Sequence, residues 1–381
     1  MNKMKKDSKI FLAGHRGLVG SALLSELKKQ GFDNIITKTH KDIDLSRQKD
    51  VESFFEKEKP EFIFLCAAKA GGIMANLSQR ADFLYENLMI EANIINCAYK
   101  FGTKKLLFLS STTVYPKNSP YPTTEDMLFS GDLEFTNKPY ALAKLAGLLL
   151  CESYNIQYNT NFISLVPINL YGNNDKFDLK KAHVIPALIR KFHLAKLLSL
   201  GENELILKDI FINDKINLLE KDIKSYLSSF GITKDEVEIW GSGKASREFL
   251  HSEDLARAMI FAMQNINFKD LTKNKKEIQN THLNISTNTS TSIKDLALMI
   301  KDIVGFKGNI YFNADKPDGV LRRLTDSTKL RSFGFKTEIS LDKGLFMMYE
   351  WYKNRNGGGA LSLCNCLFLD CFSKNYQRRV A

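Results

Sequence analysis

The 381-residue chain contains no apolar run of the ~18 residues that a membrane-spanning helix requires, so no membrane partner is expected. Cysteine is scarce. Six are too few and too scattered for a disulfide framework. Cys66, Cys97 and Cys151 sit in apolar or helical surroundings that suit reduced thiols, which points to the cytoplasm. The basic stretch from Met1 to Lys6 runs straight into a strand-like segment, so no signal peptide is expected. No block of lysine and arginine interleaves with aromatics, so nucleic acid is not expected as a partner, and no metal site is expected either. The net charge of +11 instead describes a solvated basic surface. Such a field would also favour a small molecule carrying two phosphates. With 44% hydrophobic and 25% charged residues, the chain can build a core and is not globally disordered.

The first 170 residues alternate short buried-strand patterns with helical ones. Lys9–Ala13, Asn34–Thr37, Phe62–Cys66, Leu106–Leu109 and Phe162–Val166 read as strands. Leu18–Gln30, Gln48–Lys59, Ala81–Lys100 and Tyr140 to about Tyr158 read as helices. This rhythm predicts an α/β fold, a Rossmann-like doubly wound parallel sheet, with a smaller C-terminal α/β substrate lobe. The expected division is 8–180 for dinucleotide binding, with returning segments near 248–290. Residues 181–247 and 291–356 would form the substrate lobe. Val184–Lys196, Ser252–Gln264, Thr291–Val304 and Leu341–Asn354 read as helices, with Ser252 as a helix cap. Residues 197–235 read as helical without a chemical motif, Trp240–Gly243 as a turn, and Asn309–Phe312 as a strand. The pattern breaks at Gly357–Gly359. The cysteine-rich remainder, 357–381, reads as an atypical, disordered tail.

Gly14, Gly17 and Gly20 form a GxxGxxG loop between a strand and a helix. Gly14 permits the tight turn, Gly17 the close approach of a pyrophosphate, and Gly20 tight helix–strand packing. The helix N-terminus beyond them would face the phosphates. At the end of the second strand, where NAD sites usually carry an acid for the ribose, the sequence is basic: Ile36 to Lys41 includes Lys38. Lys38, with Arg16 in the loop, suits a 2′-phosphate, so NADP(H) is the expected cofactor. Asp42 and Asp44 are better placed near the adenine or as capping groups.

Tyr140 and Lys144 form a YxxxK spacing that shares one helical face. There the lysine could lower the phenol's pKa from ~10. Some thirty residues earlier a strand ends in Ser110 and Ser111. A serine hydroxyl, a phenol and an ammonium beside a nicotinamide make a ketone-reduction site.

These motifs, with the segments GHRGLVGSA, AAKAGGIMAN, NLMIEANII, KLLFLSSTTVYPK, GDLEFTNKPYALAKLAG, LVPINLYGNND, HVIPALIRKFH, WGSGKASREFLHSEDLA and KPDGVLRR, resemble the GDP-L-fucose synthase family of extended short-chain dehydrogenases/reductases over roughly residues 8–355. The resemblance implies NADPH, a GDP-4-keto-6-deoxy sugar as substrate, and a cytosolic homodimer. It also implies C4-ketone reduction following C3/C5 epimerisation. Ser111, Tyr140, Lys144 and His183 would be catalytic. Gly14, Arg16, Gly17, Leu18, Val19, Gly20, Lys38, Ala67, Asn87, Lys144, Pro167 and His183 would contact the cofactor. Asn169, Lys191, Trp240, Arg247 and Arg323 would hold the substrate.

Three departures stand out. Thr113 occupies the position of the family's epimerising cysteine, segment 197–235 is longer than typical, and the tail resembles nothing in the family. A thiol with pKa ~8.5 exchanges protons near neutrality, and a threonine hydroxyl does not. The expected activity is therefore C4 reduction with doubtful epimerisation. The alternatives are a full bifunctional synthase and, more distantly, a non-enzymatic NADP sensor, which would be expected to lose the triad. A 4,6-dehydratase would want acids at Thr112 and Thr113, and a UDP-sugar 4-epimerase an acid near Lys38.

Overall fold

The apolar run Ile10–Ala13 forms β1, buried throughout, and the chain turns at Gly14 into helix α1 (Leu18–Lys29). The alternation continues through β2 (Ile35–Ile36), α2 (Gln48–Glu58), β3 (Phe62–Leu65), α3 (Ile73–Ser78), α4 (Arg80–Lys100), β4 (Lys105–Leu109), α5 (Lys138–Tyr158) and β5 (Phe162–Pro167). In this computed structural model residues 3–273, 275–316 and 324–355 are described. β1, β3, β4 and β5 are buried at every position, which is why they read as unbroken hydrophobic runs rather than alternating ones. α5 takes Pro139 in its first turn and stops at Asn159 in the left-handed region (φ +54°).

The remaining elements are β6 (Asn169–Tyr171), α6 (Val184–Leu200), α7 (Asn203–Asp214), α8 (Ile223–Ser228), β7 (Glu236–Trp240), β8 (Ser246–Arg247) and β9 (Phe249–His251). They continue with α9 (Ser252–Asn265), α10 (Phe268–Thr272), β10 (Leu283–Ile285), β11 (Thr291–Ser292), α11 (Ile293–Val304), β12 (Asn309–Asn313), α12 (Thr328–Ser332) and α13 (Leu341–Arg355).

The main sheet has the order β10-β5-β4-β3-β1-β2, and every pair in it is parallel. The chain steps from β1 outward to β2, then returns to build β3, β4 and β5 on the other side. The order reverses between β1 and β3, so a crevice opens at their carboxyl ends. Helices cover both faces. Leu23 and Leu27 of α1 pack with Met259 and Met263 of α9 on one face. Phe54 and Phe55 of α2, Ile94 of α4 and Leu148 of α5 pack on the other. Lys105, at the start of β4, closes the end of α9 by donating to the carbonyls of Ala262 (3.0 Å), Met263 and Ile266 (2.6 Å each). A cation at a helix C-terminus is favourable.

A second core joins α6, α11, α13 and β7 through Ile189, Phe192, Ile300, Met348 and Ile239, with β7 paired in parallel to β12. The long 197–235 segment belongs to it. It is helical only in part, α7 and α8 being separated by a break at Lys215 (φ +61°). Its anchor is Arg190 of α6, fully buried, which donates to Asp209 (2.8 Å), to both oxygens of Asp214 (2.6 Å) and to the Phe177 carbonyl (2.9 Å).

Two local expectations need correcting. Trp240 ends strand β7 rather than opening a turn, because β12 pairs along it from Asn309 to Asn313. The cap of α9 is His251, whose Nδ1 accepts the Glu253 N–H (3.3 Å), and Ser252 is the first helical residue. The expected disordered tail lies outside the described residues.

Candidate active site

At the carboxyl end of β1 the three glycines build a cradle. Gly14 has φ +89°, and a Cβ there would stand 2.7 Å from the Ala67 nitrogen, just beyond β3. A Cβ on Gly20 would stand 2.1 Å from the Gly14 carbonyl oxygen, so α1 presses directly on the loop. At Gly17, by contrast, the nearest atom to such a Cβ is 3.5 Å away. Gly17 is also the cap of α1, with no side-chain cap and no acid in the first turn. The amides around Leu18 and Val19 thus remain for an anion, and the cradle fits a pyrophosphate. Arg16 is exposed and Lys38 half-buried at the cradle's edge. Asp42 and Asp44 are spent on turns. Asp42 accepts from the Thr39 N–H and Oγ1 (2.7 Å each), and Asp44 from the Ser46 N–H (3.0 Å) and Oγ (2.7 Å). Asn87 is buried with its amide engaged by Lys69 N–H (2.8 Å), Lys69 O (3.1 Å) and Phe83 O (2.7 Å). It shapes the strand-end segment after Ala67 rather than offering a free amide. Pro167 is buried at the end of β5, opposite Ile285.

β4 ends at the Ser110–Ser111 pair. Ser111 opens a short 3-10 turn, Thr112–Val114, and its Oγ accepts the Thr113 N–H at 3.4 Å. The hydroxyl Oγ1 of Thr113 is buried with no hydrogen-bond partner among the described residues. α5 presents Tyr140 and Lys144 on one face, with the ammonium 5.9 Å from the centre of the phenol ring. Tyr140 is half-buried, edge-on to Phe83. Lys144 is 2% exposed; it donates to the Leu109 carbonyl (3.1 Å) and stands 3.0 Å from Glu91 Oε1.

Lys144 lowers the phenol's pKa as expected, but burial outweighs it. Burial pushes the Tyr140 phenol up, Lys144 pulls it back, Glu91 adds to the rise, and the net direction is upward. Burial also works against the Lys144 charge, but Glu91 and Tyr140 outweigh it and hold its pKa up. The pair is therefore a protonated phenol beside an ammonium, which is the state a proton donor needs.

His183 caps α6 by position and opens to solvent, yet it is flanked by protein. Desolvation, followed by the Lys176 ammonium, lowers its pKa. Beyond the crevice, Asn169 donates to the Glu248 carbonyl (3.1 Å) and Lys191 to the Glu238 carbonyl (2.9 Å). Burial lowers Lys191 to about 8. Lys191 thereby reaches the strand that ends in Trp240, which is 62% exposed and so not a core aromatic. Lys316 lies 5.5 Å over its ring. Arg247 is half-buried on β8 and donates to the Ser246 carbonyl (2.8 Å). Arg323 lies outside the described residues.

Among the buried carboxylates that sequence reasoning did not single out are Glu91 on α4, Glu248 and Asp175. Glu248 accepts from Ser286 Oγ (2.5 Å) and the Thr325 N–H (2.7 Å). Asp175, in the loop after β6, is raised to about 6 by burial, and its Oδ2 has no hydrogen-bond partner among the described residues. For Glu91 a signal existed, since it falls in step with the buried positions Phe83, Asn87 and Ile95 along α4.

The profile of the NAD dependent epimerase/dehydratase family matches residues 10–274. The chain belongs to this family. Within it, a putative GDP-L-fucose synthase 2 of Arabidopsis thaliana is 44% identical over 349 residues, covering 92% of this chain and 93% of its own. Two solved enzymes of Campylobacter jejuni are more similar still. A GDP-6-OMe-4-keto-L-xylo-heptose reductase is 51% identical with a TM-score of 0.88, over 93% of this chain and all of that one (100%). A GDP-mannoheptose C4 reductase with NADP bound is 50% identical with a TM-score of 0.82, over 92% and 99%. Family membership carries with it the Rossmann-like fold seen in the six-stranded sheet.

Proposed function

We propose that the chain is an NADPH-dependent reductase of the C4 ketone in a GDP-linked 4-keto sugar, a 6-deoxy hexose or a heptose, with C3/C5 epimerisation weak or lost. The observation that supports this reading is that Lys144 shares one face of α5 with Tyr140 and donates to the carbonyl of Leu109, the last residue of β4 and two before Ser111. When bound, NADPH supplies a hydride to the ketone carbon. Tyr140 donates its proton to the ketone oxygen, Ser111 donates a hydrogen bond to the same oxygen, and Lys144 provides the positive charge beside them. Gly14, Gly17, Leu18, Val19 and Gly20 would hold the pyrophosphate; Arg16 and Lys38 would hold the 2′-phosphate. Ala67, Pro167 and His183 would line the rest of the cofactor site. Asn169, Lys191, Trp240, Arg247 and Arg323 would hold the GDP-sugar. The corresponding division is a dinucleotide half, 8–180 with 248–290, and a substrate half, 181–247 with 291–356.

The heptose reading is favoured by the names of the two Campylobacter jejuni relatives, at higher identity than the fucose synthase. The weak-epimerase reading rests on Thr113, since inversion needs two proton-exchanging groups and His183 is only one. A cytoplasmic homodimer suits the outer face of α4 and α5. There Leu142, Leu149 and Ile156 lie a heptad apart and exposed, beside exposed Tyr85 and Tyr99.

The test is to incubate the protein with NADPH and GDP-4-keto-6-deoxy-mannose, or a GDP-4-keto-heptose, in deuterated water. NADPH oxidation with no deuterium at C3 or C5 is expected. Efficient conversion of the mannose compound to GDP-L-fucose would restore the bifunctional reading.

A further inference from the structure

Glu91 occupies a place on α4 where an apolar residue would be the simple choice. Its neighbours on the buried face are the apolar Phe83, Ile94, Ile95, Cys97 and Ala98 and the uncharged amides Asn87 and Asn93, and its own side chain is 1% exposed. Seating it is costly. Neither carboxylate oxygen has a well-aligned hydrogen-bond donor among the described residues, and burial raises its pKa. Among the described residues its close charge is the Lys144 ammonium at 3.0 Å, on an equally buried side chain. Gly147 on the facing helix leaves room for Glu91 and for the Phe108 ring: a Cβ there would stand 2.4 Å from Phe108 Cζ and 2.6 Å from Glu91 Oε2. A glycine inside a helix is less favourable than alanine. A buried ion pair is seldom retained for stability, because apolar residues of similar volume do as well or better.

We propose that Glu91 is a positioning residue for ketone reduction: its carboxylate holds the Lys144 ammonium against the Leu109 carbonyl and offsets that charge beside Tyr140. This rests on the reductase reading above. An unopposed lysine next to the phenol would draw out its proton and empty the donor. Paired with Glu91, Lys144 keeps its place while Tyr140 keeps its proton. The titratable groups facing the pair are few. Tyr140 and Cys66 face Lys144, and Cys151 faces Glu91; both thiols are pushed up to about 12 by burial and stay neutral. Among the described residues, removing the negative charge therefore acts on the ionisation of Lys144 and Tyr140. Whichever of the two loses its proton first, that loss becomes easier.

The experiment uses the full chain with Glu91→Gln, which preserves shape and removes charge. The alkaline limb of the kcat profile for reduction should move to lower pH by about one unit or more. The ultraviolet tyrosinate titration, taken as the difference from the matching Tyr140→Phe protein, should move the same way. NADPH binding and the melting transition report folding. A folded variant with both curves unmoved overturns the proposal and leaves Glu91 a packing residue. Should Glu91→Gln not fold, Glu91→Asp decides: it retains charge but draws the carboxylate back, so kcat should fall with NADPH binding kept. Wild-type kcat in that variant overturns the proposal. If the wild-type chain reduces no 4-keto sugar, the functional reading fails instead, and the tyrosinate titration still decides for Glu91.

Discussion

Thr113 donates its backbone N–H to Ser111 Oγ at 3.4 Å, so the two hydroxyls share one 3-10 turn at the end of β4. The turn that carries Ser111, the proposed donor to a ketone oxygen, also holds Thr113, whose Oγ1 is buried with no hydrogen-bond partner among the described residues. Only the chemistry at 113 is wrong for proton exchange. Thr113→Cys should raise deuterium incorporation at C3 or C5 in the presence of a 4-keto substrate while reduction continues. Unchanged exchange in a folded variant would mean that the thiol is insufficient here.

Tyr140→Phe keeps the ring against Phe83 and removes the proton. Reduction should fall roughly a hundredfold or more with NADPH binding intact. Binding is measured by fluorescence quenching and turnover by NADPH absorbance. Turnover near wild type would place the proton donor elsewhere.

β1, β3, β4 and β5 were legible because burial on both faces leaves an unbroken apolar run, as in Phe62–Leu65, whereas β10, at the edge of the same sheet, was not read as a strand. β6, β8 and β9 were not. They are two or three residues long, and pairing with distant partners, not local pattern, makes them strands. Tyr140, Lys144 and the glycines were readable because their spacing lies within one element. Glu91 meets Lys144 across two helices, and that contact exists only after packing. The net direction of the Tyr140 pKa was misread for a similar reason: desolvation is a property of the packed site, while the i, i+4 lysine is a property of the sequence.

Arg16 and Lys38 should set cofactor choice. Arg16→Ala or Lys38→Ala should lower kcat/KM for NADPH by about 1.5–3 kcal/mol per lost charge-assisted contact and leave NADH nearly unaffected. Equal use of NADPH and NADH by the unaltered protein would count against the 2′-phosphate assignment.

Gly147→Ala should destabilise the fold. The added methyl meets Phe108 at 2.4 Å as well as Glu91, and both are held by packing. A loss of about 1–3 kcal/mol is expected from overpacking, read as a lower denaturant midpoint. A midpoint equal to wild type would show that the two helices can part at no cost.

Acid should weaken the fold through its buried histidines, an effect that Asp175, raised to about 6, offsets only in part. Burial lowers His282 to about 3 and both His193 and His251 to about 4. Unfolded, each would titrate near 6.5. Below about 6.5 the unfolded chain therefore binds more protons, and stability falls as pH drops toward 4. Melting temperatures should decline from pH 7 to pH 5. His282→Asn should flatten that slope even though it costs the hydrogen bond to Tyr115 (2.8 Å).

The sixth strand of the main sheet has a consequence for biosynthesis. β10 pairs with β5 across more than a hundred intervening residues, and α9, which covers α1, is equally late in the chain. As the protein leaves the ribosome, five strands can align while β5 still presents an open edge and α1 an uncovered apolar flank. Sheet edges and bare apolar faces of this kind are what other nascent chains adhere to. The second core, α6 through β7, must emerge before the first is sealed. Premature termination anywhere before Ile285 would thus release a polypeptide primed to aggregate, rather than a smaller, self-sufficient dinucleotide-binding unit.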